Sequence, residues 1–150
     1  MNWRALVLGA ILLQCTTAHA RDLGQWADQD PQIRAWFEHL MQPDTMRTIS
    51  PQSCCGEGDA YWADEVHVRD GKMFAVITDK RPDGQCGVME CRFHEEPGTE
   101  YEVPPGKIVG KEQEKLGNPT GHVVIFLGGR TQYNGTWHRD VLCYVPNSGA

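Results

Sequence analysis

The sequence predicts an α+β fold, in which one N-terminal amphipathic helix precedes a small curled antiparallel sheet or a partly open barrel. Apolar residues recur at helical spacing between residues 31 and 41, whereas period-two patterns begin at residue 63. Loops rich in glycine, proline and charge separate the later apolar segments. One helix followed by about five short strands is typical of an α+β domain.

The predicted helix begins at Pro31. Asp30 is a capping acceptor, and a proline at the first helical position loses no hydrogen bond. Pro43 predicts an end near Met41, because the residue before a proline avoids helical geometry. The apolar face, which we expect to pack in the core, consists of Ile33, Trp36, Phe37, Leu40 and Met41.

A β-hairpin is predicted around Asp70–Gly71, because both positions of such a two-residue turn favour positive φ. This turn places Val68 opposite Met73 and Val66 opposite Ala75. One face of the hairpin is therefore expected to lie in the core, and its members are Val66, Val68, Met73, Ala75 and Ile77.

The remaining elements are predicted from apolar runs between breakers. A long loop is expected over residues 79–98, one helical turn over 111–116 and a turn over 128–135. The predicted strands are Glu100–Val103, Lys107–Val109, His122–Leu127 and Val141–Val145.

The first twenty residues have the pattern of a cleavable secretory signal. A short basic start with Arg4 precedes the apolar run Ala5–Leu13, and Ala18–Ala20 has the small-x-small form of a cleavage site. Nine apolar residues are too few to span a bilayer core, which needs roughly 20. We therefore predict a signal peptide at 1–20, a single α+β domain at 21–150, and a periplasmic or secreted location.

The composition limits the possible partners. Without Arg4 the chain has 13 basic and 20 acidic residues, a formal charge of −7. Nucleic acids and anionic membrane surfaces attract clustered positive charge, so neither is an expected partner. We expect an envelope or extracellular partner whose identity the sequence does not specify, no membrane span after cleavage, and no cofactor.

Five cysteines follow the predicted cleavage site, and in an oxidising compartment they favour disulfides. The odd number leaves at least one thiol unpaired within the chain. We predict that Cys86 pairs with Cys91 and that Cys143 pairs with either Cys54 or Cys55.

Several motifs together resemble a family of small exported proteobacterial proteins. The resemblance implies export and a shared fold, but no mechanism. The motifs are Met41-Gln42-Pro43-Asp44, Ser53-Cys54-Cys55-Gly56-Glu57, Asp59-Ala60-Tyr61-Trp62-Ala63-Asp64, Gly117-Asn118-Pro119-Thr120-Gly121-His122 and Cys143-Tyr144-Val145-Pro146.

A second resemblance concerns the segment from Thr120 to Gly128, which is similar to the histidine strand of papain-like cell-wall cysteine peptidases. It implies a nucleophile upstream, at Cys54 or Cys55, with His122 as the base and Asn134 as the residue that orients it. A base lowers the pKa of a thiol and so produces the reactive thiolate.

Two functions therefore remain open. The first is a binding or structural role of a disulfide-stabilised domain, and the alternative is a thiol-dependent cell-wall peptidase or amidase. Cys86, Cys91 and His94 form only a partial zinc pattern, since a zinc site needs four ligands with tight spacing, and we predict no metal.

Overall fold

The computed structural model describes residues 29–86, 89–90, 92–110, 113, 117–131 and 133–147. The predicted signal peptide lies outside these residues, as does all but Gln113 of the helical turn predicted at 111–116. No helix among the described residues is long and apolar enough to cross a membrane. The helices and strands are α1 Pro31–His39, α2 Cys54–Glu57, β1 Gly58–Trp62, β2 Glu65–Arg69, β3 Lys72–Val76, β4 Gln85–Cys86, β5 Met89–Glu90, β6 Glu100–Val103, β7 Val124–Thr131 and β8 Trp137–Val145, with a 3₁₀ turn at Pro105–Lys107.

The mixture of helix and antiparallel sheet confirms the α+β prediction, and a disulfide ties it together. The strands form two three-stranded sheets, in the orders β1-β7-β8 and β2-β3-β6, and β4 and β5 form a small ribbon. Neither three-stranded sheet closes on itself, and the described strands form two separate open sheets instead of the single curled sheet or partly open barrel that the sequence predicts.

Helix α1 is short but begins where the sequence predicts. The Asp30 side chain accepts a hydrogen bond from the Gln32 amide at 2.7 Å, and Pro31 takes the first position. The helix ends at His39, two residues earlier than predicted, because Leu40 already has extended geometry. Three side chains of its apolar face are buried in the core, namely Trp36, Phe37 and Leu40.

The first sheet has a hydrophobic core on each face, which explains the uninterrupted apolar run in β7. Val124 and Phe126 pack with α1, whereas Ile125 and Leu127 pack with the second sheet. Alternate side chains of a strand point to opposite faces, so a central strand covered on both sides is apolar throughout.

The β7–β8 hairpin is longer than predicted. Its glycines indicated a turn from residue 128, but the strand continues to Thr131 and its partner begins at Trp137. The Trp137 indole lies over Gly129 so closely that a Cβ there would be 2.0 Å from a ring carbon. These glycines therefore make room for side chains within a strand.

The register predicted for the β2–β3 hairpin is confirmed, with Val68 opposite Met73 and Val66 opposite Ala75. Asp70 and Gly71 have φ of 50° and 74°, as the turn requires. The predicted core face is only partly right. Ala75 is fully buried, but Val66 is 39% exposed and Val68 is 72% exposed, because β2 is the outer strand of its sheet.

The strand predicted at Lys107–Val109 is also wrong, because the chain makes a 3₁₀ turn up to Lys107. It then becomes extended beside β8, where Ile108 forms a parallel bridge with Tyr144. The Val109 amide donates to the Tyr144 carbonyl at 2.8 Å. This segment therefore covers one end of the outer edge of β8.

Buried ion pairs fasten the loop after β3 to β1. The Asp79 carboxylate accepts hydrogen bonds from Arg81 and Arg92, each at 2.7 Å, and from the Trp62 amide at 3.2 Å. Arg92 also donates to the Ala60 carbonyl at 3.1 Å. Burial alone would raise the pKa of Asp79, but the two guanidinium groups outweigh it and hold the pKa well below its usual range.

Candidate functional site

The structure decides the pairing that the sequence left open, because the disulfide joins Cys54 to Cys143. Cys54 opens the short helix α2, whose N-cap is the Ser53 side chain. The two cysteine Cα atoms lie 5.7 Å apart, and both residues are fully buried between α1 and the first sheet. Cys54 is therefore a disulfide partner and has no thiol with which to attack a substrate.

Among the cysteines whose side chains the structure describes, Cys55 is the free thiol. Its sulfur donates to the Phe37 carbonyl at 3.1 Å. Burial raises the pKa of this thiol, and the Glu38 carboxylate raises it further. Cys55 is therefore held as a neutral thiol, whereas a nucleophilic cysteine needs the thiolate.

His122 has an orienting partner, but it is not the residue that the sequence indicated. Its Nδ1 lies 2.8 Å from an Asp64 carboxylate oxygen, and its ring stacks on Trp62 at a centroid distance of 4.8 Å. The second Asp64 oxygen accepts the Val123 amide at 2.7 Å. Since the carboxylate faces Nδ1, the Nε2 atom points away from Asp64. The dyad is half exposed to solvent.

Asn134 lies at the other end of the β7–β8 hairpin. Its side chain accepts the Thr136 amide at 2.9 Å within the turn that joins the strands. His122 precedes the eight-residue strand β7 and Asn134 follows it, and such a strand is about 23 Å long. The structure therefore does not bring Asn134 to His122.

Cys55 and His122 are separated in the same way by β1. Cys55 precedes the Gly58 end of this strand, and His122 stacks on Trp62 at the opposite end. Five strand residues span about 13 Å. The structure therefore places the thiol, the histidine and the amide of the predicted peptidase site at three different positions.

The partial zinc pattern cannot be followed completely, because Cys91 and the Cys86 side chain lie outside the described residues. His94 is described, and its two ring nitrogens lie 2.7 Å from Asp83 and 2.9 Å from Glu96. Hydrogen bonds to these carboxylates, Asp83 first, raise the pKa of His94 and favour the imidazolium form. Among the residues that the structure describes, no His, Cys, Asp or Glu cluster has the form of a metal site.

A groove of about 830 Å³ lies between β6 and β8, the adjoining outer strands of the two sheets. Typical ligand sites in proteins have volumes of roughly 300–1,000 Å³. The lining combines residues from both strands with a few from neighbouring loops: Gln42, Gln52, Glu100, Tyr101, Glu102, Pro104, Lys107, His138, Arg139, Asp140, Val141 and Leu142.

A nearly buried polar network supports one wall of the groove. Arg139 donates to Glu95 at 2.9 Å and to the Tyr61 hydroxyl at 3.1 Å, and the Tyr101 hydroxyl donates to Glu95 at 2.5 Å. Burial, followed by the Glu95 carboxylate, raises the pKa of Tyr101, so this phenol remains a donor. The wall is therefore held in one arrangement before any ligand arrives.

The other charges around the groove are paired within the chain. Lys72 donates to Glu102 at 2.9 Å, and Lys107 lies 2.6 Å from Asp44. Glu100 accepts hydrogen bonds from Arg69 and His67. The groove therefore presents compensated charges rather than a surface of one sign.

Sequence reasoning found His122 but missed Asp64 and the groove. Asp64 stands opposite His122 because β1 pairs with β7 in a register that matches Trp62 with Val124. The groove depends on the approach of two strands that lie almost 40 residues apart in sequence. No local pattern in the chain encodes either arrangement.

Comparisons with protein-family models, with curated proteins and with solved structures find no match to this chain. The two family resemblances noted in the sequence therefore remain predictions.

Proposed function

We propose that the protein is an exported, disulfide-stabilised domain that binds a ligand in the periplasm or outside the cell, with the groove between β6 and β8 as its binding site. The observation that carries the proposal is the buried Cys54–Cys143 disulfide. Disulfides form and persist mainly in oxidising compartments, which agrees with the secretory signal predicted at residues 1–20.

A binding role is favoured over the thiol-peptidase alternative by the state of the two candidate nucleophiles. Cys54 is oxidised, and the thiol of Cys55 bonds to the Phe37 carbonyl. The strands that carry the Asp64–His122 dyad hold it away from this thiol. The groove, by contrast, has the volume of a ligand site and a rigid polar wall.

Mass spectrometry of the exported protein tests the proposal. We expect a chain that begins at Arg21, a Cys54–Cys143 cross-link, and a Cys55 thiol that iodoacetamide alkylates near neutral pH only after unfolding. The slow labelling follows from the partly buried thiol, whose raised pKa keeps it neutral.

Two variants serve as controls in that measurement. Cys55→Ser should abolish the label seen after unfolding, and His122→Ala should leave the labelling rate of the folded protein unchanged. Rapid labelling of Cys55 that His122→Ala slows would instead support the peptidase alternative. An intact Met1 in the exported fraction would contradict cleavage of the signal.

A further inference from the structure

The outer edge of β6 has backbone groups that point away from its own sheet. The Ile77 amide donates to the Thr99 carbonyl at 2.8 Å. Because hydrogen-bonded and non-hydrogen-bonded pairs alternate along an antiparallel ladder, the pair Ala75–Tyr101 is also hydrogen-bonded. The intervening residues Glu100 and Glu102 therefore direct their amides and carbonyls outward. Both line the groove.

The outer edge of β8 has outward backbone groups on the facing side of the groove. The Ala63 amide donates to the Val123 carbonyl. By the same alternation, every second residue of β7 up to Leu127 directs its backbone amide and carbonyl toward β1. Gly128 then faces its β8 partner Asp140. Arg139 and Val141, on either side of Asp140, therefore direct their backbone groups outward, and both also line the groove.

The chain already adds an extended segment to this edge. Ile108 forms a parallel bridge with Tyr144, and the Val109 amide bonds to the Tyr144 carbonyl. This segment covers Tyr144 but not the groove-lining stretch of β8 nearer its N-terminal end. Among the described residues, the outer edge of β8 is thus covered by the chain itself at one end and borders the groove at the other.

We propose that the groove binds an extended peptide, which adds as a strand to the outer edge of β8 and lies against β6. The inference rests on the proposed binding function. Addition of a strand supplies affinity through main-chain hydrogen bonds, for which Arg139 and Val141 supply the partners. Because the charges of the groove are paired within the chain, the peptide that fits is one without strong net charge.

The length of the groove limits the peptide. β6 is four residues long, about 13 Å, and the groove-lining part of β8 covers five residues. A segment of four to six residues matches this length. The alternate side chains of such a segment contact the lining of the groove, where the partly exposed Tyr101 and Leu142 supply apolar surface.

The test uses a mixture of acetylated, amidated hexapeptides in which valine or leucine alternates with threonine or serine. Added to the ¹⁵N-labelled, disulfide-bonded protein, the mixture should shift the amide resonances of Arg139 and Val141 and slow their hydrogen exchange. Methylation of the peptide nitrogens that face β8 should weaken binding by about tenfold, since two or more hydrogen bonds are lost. Methylation of the alternate nitrogens should change the affinity much less.

A variant adds a second readout. Val141→Pro removes an outward amide that takes no part in the β7–β8 ladder, and it should abolish the shifts. If this variant does not fold, the methylated peptides alone decide the question. Equal affinity of both methylated peptides, or no shift at Arg139 and Val141, would overturn the peptide proposal. Shifts that depend on protein concentration rather than on peptide would overturn it in favour of a second copy of the chain.

These outcomes are distinguishable from a failure of the proposed function. A protein that is exported, cross-linked and inert at Cys55, but does not respond to the peptides, retains the proposed binding role and loses only this ligand. A protein with a reactive Cys55 fails the first test whatever the peptides do.

Discussion

Removal of the Cys54–Cys143 disulfide should lower the free energy of unfolding more than any other substitution considered below. Cys54 and Cys143 are 89 residues apart, so the bond closes a very long loop in the unfolded chain. The loop-entropy relation assigns such a loop about 4.6 kcal/mol of stabilisation at 25 °C. The double variant Cys54→Ala/Cys143→Ala should lose at least this amount.

Loss of the two buried sulfur atoms adds to that cost. Both cysteines are fully buried in the core between α1 and the first sheet. Each sulfur is comparable with a buried methylene, so its removal should cost about 1 kcal/mol. The total of about 7 kcal/mol is comparable with the whole stability of many small domains, which is about 5–15 kcal/mol.

Urea denaturation under non-reducing conditions measures the loss. Cys55→Ala is the matched control, because it removes a neighbouring thiol and its bond to Phe37 but closes no loop, and it should cost about 1 kcal/mol. The reasoning would be refuted if the double variant retained stability within 1.5 kcal/mol of the unaltered protein. It would also be refuted if Cys55→Ala cost as much as the pair.

Two further predictions concern the second sheet and the buried ion pairs. Ala75→Asp should destabilise by more than about 3 kcal/mol, because it buries an unpaired charge. Val68→Asp, at an exposed position opposite Met73, should cost less than about 1 kcal/mol. Equal melting temperatures of the two variants would contradict the packing of this hairpin. Asp79→Asn should cost about 3 kcal/mol near neutral pH, because it removes one of the two carboxylates that pair with the nearly buried Arg92 and leaves only the more distant Asp83. Since the folded pKa of Asp79 is depressed, its stabilisation is complete above the unfolded value of about 3.9 and is lost as the pH falls below it. Acid denaturation followed by circular dichroism should therefore be less steep for Asp79→Asn, and parallel curves would contradict the assignment.

Local features of the sequence predicted several elements well. The Asp30–Pro31 pair marks the start of α1, because capping and proline geometry depend on adjacent residues only. The Asp70–Gly71 turn also determines the register of β2 and β3, since a two-residue turn pairs the strands directly. The odd number of cysteines predicted a free thiol, and Cys55 is one.

Where sequence reasoning failed, the missing information was tertiary. Val68 has the alternation of a core residue, but burial depends on whether another layer covers it, and β2 lies at the edge of its sheet. The glycines at 128 and 129 resemble a turn, yet they lie under Leu142 and Trp137 across the hairpin. In both cases the deciding neighbour is remote in sequence.

By itself, the sequence determined the mixed fold class, the start of the helix, the hairpin register and the participation of Cys143 in a disulfide. Only the tertiary structure decided that Cys54 rather than Cys55 is the partner, that Asp64 orients His122, and that β6 and β8 border a groove. Helix capping, tight turns and the alternation of apolar and polar residues depend on residues that are close in sequence, so the sequence predicts them. The pairing of β1 with β7 and the approach of the two sheets depend on the burial of apolar faces. Any strand with a suitable apolar pattern can provide such a face, so the pattern does not identify the partner.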